Sequence, residues 1–181
     1  MKNALLEDVE YKIQRTRFGI WRRYGYENGA SFHEFKSNKY IIDLPLVHYT
    51  YGKNPETGCR IVAKGIVAIG RIACGFIAIG QASFGLVAIG QLAIGIVFGL
   101  GQLTTGIAAV GQFAIAALFG LGQFAAGYVA IGQVAAGKYA LGQMGFGKYI
   151  WSTQRVDSEA VEFFKSLPVL RDILPNLAKS Q

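Results

Sequence analysis

The chain has 181 residues, a net charge of +7 and a mean hydropathy of +0.32, which sets one domain with appendages as the expectation. Its 52% apolar content and 24 glycines come mainly from one repetitive stretch, so stacking of repeats, not a conventional globular core, governs the fold. Two cysteines, Cys59 and Cys74, are too few for a disulfide framework. Residues 1–7 lack the apolar run of a secretory signal, so a cytoplasmic location is expected, with association to a membrane as its variant.

Residues 1–60 form the first segment, and 5–17 are read as a short helix. Residues 11–25 hold five cations, Lys12, Arg15, Arg17, Arg22 and Arg23, and no acid, with Phe18, Trp21 and Tyr24 interleaved and Tyr26 just beyond. Lys12, Arg15, Arg17, Trp21, Arg22 and Arg23 are therefore candidate contacts to an anionic membrane surface, with aromatics at headgroup level. Two other readings stand beside it: a solvated face whose aromatics pack on the repeat, and, least favoured, nucleic acid held through phosphates and stacking. Strands follow at 32–35 and 40–43, with a turn at Ser37-Asn38. Pro45 marks an edge or a bulge, and Asn54-Pro55-Glu56-Thr57-Gly58 has turn chemistry.

The second segment, 61–151, is the repeat. Gly70, Gly75, Gly80, Gly85, Gly90 and Gly95 fall five residues apart. Five residues turn an α-helix by about 500°, which marks no face, whereas five residues suit one short strand and a corner. Glycine accepts φ > 0 at such a corner. In Gln91-Leu92-Ala93-Ile94 the alternation is expected to turn Leu92 and Ile94 inward and Gln91 and Ala93 outward. Cys74 is expected on an inward position. The residue after glycine is polar at every second unit, so the true unit is a decapeptide. One extra residue occurs in 97–101 and again in 118–122, 21 positions later, which suggests coils of about 20–21 residues, about four in all. The amides then stack in two ladders, Gln81-Gln102-Gln123-Gln143 and Arg71-Gln91-Gln112-Gln133.

Residues 72–137 contain no charge, a length that also reads as three transmembrane helices packed through glycine. Against that alternative, the run has no polar hairpins or basic flanks, and glycine disfavours helix. The third segment, 152–181, is expected to be helical. Asp157 or Ser158 caps a helix to about Leu167 with Val161, Phe164 and Leu167 on one face, and Pro168 opens another with Leu170, Ile173, Leu174 and Leu177. Both flanks are natural covers for the ends of the repeat.

Catalytic signals are missing. His33 and His48, even with Glu34, Asp43 and Cys59, lack ligand spacing, and there is no nucleophile elbow or phosphate loop. His33 is expected to face water and His48 to be half-buried. No enzyme activity, metal or cofactor is expected.

By its period the repeat resembles pentapeptide-repeat proteins, whose four-sided coils hold about 20 residues, although Gln or an apolar residue stands where their consensus has Asp or Asn. Some of those proteins imitate DNA with an acidic surface, and 61–151 holds no acid. Leu44-Pro45-Leu46-Val47-His48, then Ala63-Lys64-Gly65-Ile66-Val67-Ala68-Ile69-Gly70 and decapeptides, make residues 40–150 similar to bacterial Gly-rich decapeptide-repeat proteins. That resemblance implies no activity. The expectation is a mainly β chain: a β-solenoid with flanking strands and C-terminal helices. Its role is that of a non-enzymatic scaffold that self-associates, in one form as a filament, or binds a partner or a membrane surface.

Overall fold

A computed structural model describes residues 9–167. The described residues are mainly β, with eight strands and one helix. The chain divides into two compact units, Met1–Gln102 and Leu103–Gln181.

In the first unit, β1 (Lys12–Arg15), β2 (Gly19–Gly25) and β3 (Ser31–Ser37) form an antiparallel meander. A two-stranded hairpin, β4 (Tyr40–Ile41) with β5 (Leu44–Pro45), precedes β6 (Val47–Tyr51), which pairs antiparallel with β3. The helix expected over 5–17 is corrected from residue 12 onward, where Lys12 lies opposite Arg23 and Arg15 opposite Ile20. So short a helix is marginal alone, whereas pairing with β2 satisfies the backbone of both strands. Residues 5–8 lie outside the described residues. The strand expected over 40–43 stops at Ile41, because Ile42 (φ 52°) and Asp43 (φ 60°) are left-handed and make a two-residue hairpin turn. The turn at 54–58 forms as expected: Glu56 N–H donates to Asn54 Oδ1 at 2.8 Å and Gly58 N–H to Asn54 O at 2.8 Å.

The pairing then changes to parallel. β6 lies along β7 (Ala63–Ile69), and β7 along the start of β8 (Ile72–Trp151). Ala63 faces Ala73, Gly65 faces Gly75 and Ile69 faces Ile79, so the register steps by ten residues. The coil of 20–21 residues is thereby corrected. Gly70 N–H donates to Ile79 O at 3.1 Å and Ala82 N–H to Arg71 O at 3.0 Å, the slanted pattern of parallel neighbours. Within β8 the same step recurs, since Gly85 lies on Gly75 in the first unit and Gly132 on Gly122 in the second. Each extra residue lengthens one step to eleven: Gly101 lies on Gly90, and Gly122 on Gly111.

The interior is the reverse of the expected one. Ala63, Ala68, Ala73 and Ala78 form a buried cluster in the first unit, and Ala125, Ala130, Ala135 and Ala140 in the second. Leu92, expected inward, is only half-buried, and Ile94, expected inward, is exposed. Cys74 is exposed too. A ten-residue step brings backbone so close to backbone that only small side chains fit between. Ser83 and Thr104 take alanine places; both are fully buried, and their hydroxyls donate to Leu92 O and Phe113 O at 3.3 Å.

Glycine serves this closeness and not a left-handed corner. Repeat glycines have ordinary φ apart from Gly147 (φ +154°), and Ala116, in a glycine column, has no positive φ. A Cβ added to Gly75, Gly85, Gly132 or Gly142 would run into the carbonyl oxygen of the glycine ten residues earlier.

In the second unit, α1 (Ser158–Ser166) follows a bridge between Trp151 and Val156. Ala160 and Phe164 are fully buried, and Phe163 stacks on Tyr139 with centroids 3.9 Å apart. Asp157 stands at the N-cap but does not cap. Its carboxylate accepts Ile150 N–H at 2.8 Å and Arg155 Nε–H at 2.9 Å, so it fastens the helix start to the end of β8. The second helix expected from Pro168 lies outside the described residues.

Candidate functional site

The meander of the first unit presents two unlike faces, because neighbouring residues on a strand point to opposite sides. Register places Lys12, Trp21, Arg23, His33, Phe35, Tyr49 and Tyr51 on one face. Through Tyr49↔Ile69 and Ile69↔Ile79 that face runs on to the outer side of the repeat. Trp21 lies 5.0 Å from Phe35 and 6.0 Å from Tyr49, and the Arg23 guanidinium covers Trp21 at 4.8 Å. β1, β2, β3, β6 and β7 place no Asp or Glu on this face.

The six candidate contacts are thus divided. Lys12, Trp21 and Arg23 share the outer face, while Arg15 and Arg22 belong to the opposite one. Arg17 sits in the β1–β2 turn, which closes with Thr16 N–H donating to Gly19 O at 2.8 Å. The glutamines Gln81, Gln91, Gln102, Gln112, Gln123, Gln133 and Gln143 are all exposed. With a ten-residue step, Gln81 and Gln91 fall on neighbouring passes of the chain in the first unit, as do Gln123, Gln133 and Gln143 in the second, so glutamines do not alternate between two ladders.

The opposite face turns toward the alanine core, and it holds a cluster that motif spacing does not disclose. Glu34 is 2% exposed. Its Oε2 accepts both Nε–H (2.7 Å) and Nη2–H of Arg22, and its Oε1 accepts Lys36 Nζ and His48 Nε2, each at 3.1 Å. Lys64 N–H lies 2.8 Å and Lys64 O 3.1 Å from His48 Nδ1, so the β7 backbone holds the ring with its Nε2 toward Glu34. Burial raises the Glu34 carboxyl, but the bonds from His48, Arg22 and Lys36 outweigh it and pull the group down to about 2. His48, expected half-buried, is buried; His33, expected to face water, is half-buried with Nε2 3.1 Å from Ser31 Oγ. One signal for this cluster was readable: alternation puts Glu34 on the same side as Phe32, and an acid on a buried face needs partners.

Arg22, Lys36 and His48 together satisfy the charge of Glu34. Among the described residues no three His, Cys, Asp or Glu side chains gather as metal ligands, and every buried side-chain nitrogen and oxygen has a hydrogen-bond partner. Residues 72–137, which also read as transmembrane helices, lie in β8, and no described helix is long and apolar enough to cross a membrane. Compared with known proteins, the chain matches no family model, no curated protein and no solved structure.

Proposed function

We propose that the chain is a non-enzymatic β-solenoid scaffold built from ten-residue rungs, which associates with further copies of itself through the outer faces of the repeat. Its repeat belongs with the Gly-rich decapeptide kind that it resembles. One observation carries the reading. Alanine fills the inside while large side chains stand outside: Ile96 is 64% exposed, Leu118 58%, Ile115 57% and Phe146 55%. Outward apolar rows of this extent are costly in water and mark contact surfaces. The meander covers the amino-terminal strand edge of the repeat, which favours lateral contacts over stacking at that edge.

Sedimentation of the full chain at micromolar concentration without detergent tests the reading. Species heavier than the 19.6 kDa chain are expected, and a monomer overturns self-association. A second reading, contact with an anionic membrane surface, is favoured by the acid-free outer face with Lys12, Arg23 and Trp21.

A further inference from the structure

A groove of about 1120 Å³ opens in the first unit, between the β6 end of the meander and the loop that leads into the repeat. Its floor is made by Ile69, Ile79 and Ile89, one per pass of the chain, beside the side-chain-free row Gly70, Gly80 and Gly90. The floor is thus a hydrocarbon track that runs across the strands. Tyr49, paired beside Ile69, and Tyr51 also line the groove.

The lining carries charge of one sign only. Lys53, Arg60 and Arg71 line the groove, and no Asp or Glu does. The loop that bears Lys53 and Arg60 is held in place before any ligand arrives. Tyr26 Oη donates to Lys53 O at 2.8 Å, Asn54 N–H to Cys59 O at 2.7 Å, and Tyr11 Oη to Asn54 Oδ1 at 3.2 Å. A volume at the scale of ligand pockets, an apolar track and a few fixed polar groups are the features of a small-molecule site.

We infer that this groove binds a single-chain anionic amphiphile, its alkyl chain along Ile69, Ile79 and Ile89 and its anionic head among Lys53, Arg60 and Arg71. Charge complementarity decides the head, because three cations without a counter-acid repel a cationic chain and favour a carboxylate or phosphate. The isoleucine row decides the tail, because a hydrophilic anion leaves it in water. The inference is independent of self-association and does not require it.

Calorimetric titration of the full chain, with probes below their micelle concentrations, is the test. Dodecyl phosphate is expected to bind saturably at one per chain. Dodecyltrimethylammonium is expected to bind at least about tenfold more weakly, and inorganic phosphate without a tail not measurably. Laurate in place of dodecyl phosphate tells whether the head is read as a carboxylate or as a phosphate. The double variant Arg60→Glu with Arg71→Glu, at exposed positions, is expected to lose at least about tenfold in affinity. Ile79→Asn weakens binding of both anionic probes and leaves the melting temperature of the free chain within a few degrees. Lys53→Glu serves as the second charge variant if the double variant melts early. Non-saturable uptake, equal binding of the cationic chain, or unchanged affinity in the charge variants overturns the inference.

Discussion

At the scale of single residues, Glu34 and the repeat glycines carry distinct consequences. The Glu34 carboxyl is held at about 2 in the fold against an ordinary value of 4.5. A depressed carboxyl stabilises the fold at pH above its ordinary value, and the contribution fades as pH falls from about 4.5 toward about 2. Melting curves between pH 7 and pH 2 are expected to show that loss in the parent and not in Glu34→Gln, and at pH 7 the variant is less stable by about 1.5–3 kcal/mol because charged hydrogen bonds are gone. Glycine gives a sharper contrast. Gly85→Ala forces a methyl against the Gly75 carbonyl and is expected to cost about 1–3 kcal/mol, the usual range for overpacking. Gly25, with nothing within 4 Å of an added Cβ and no positive φ, is expected to accept alanine within about 0.5 kcal/mol.

At the scale of elements, the β4–β5 hairpin and α1 are held in opposite ways. Ile42 is β-branched, 79% exposed and left-handed, so its turn is strained. Ile42→Asn with Asp43→Gly gives the turn the residues it favours and is expected to raise stability by about 1 kcal/mol in a denaturant titration. α1 instead depends on its fully buried Phe164, and Phe164→Ala is expected to cost about 3–5 kcal/mol. Hydrogen exchange that leaves residues 158–166 as protected as before would show that α1 does not depend on that contact. Several elements were legible because local chemistry decides them: the Asn54 turn, the strand around Phe32 and the helix after Asp157. Strand β1 was not, because its evidence lies in pairing with β2 across the turn (Arg15↔Ile20 to Lys12↔Arg23), and not in its own four residues.

At the scale of the whole chain, the repeat showed its ten-residue unit plainly and hid both its coil length and its phase. Leu92 and Ala93 alternate whichever of them points inward, and with apolar residues on both sides the pattern cannot choose. Backbone spacing chooses, through the glycine carbonyls that a Cβ would strike. The Glu34 cluster was hidden for a related reason: Arg22, Lys36 and His48 meet only through strand register. Register also sets apart two cations that are adjacent in sequence. Arg23 stands on the outer face over Trp21, whereas Arg22 is bound to Glu34. If the outer face meets an anionic membrane, binding to vesicles rich in phosphatidylglycerol should exceed binding to phosphatidylcholine vesicles, and it should fall as salt screens the charges. Lys12→Glu with Arg23→Glu is expected to abolish that difference while the melting temperature stays within a few degrees. Arg22→Glu is expected to lower the melting temperature markedly, because it places a second carboxylate beside a buried one. Vesicle binding that ignores lipid charge, or that survives in the Lys12 and Arg23 double variant, would remove the membrane reading and leave self-association as the use of this face.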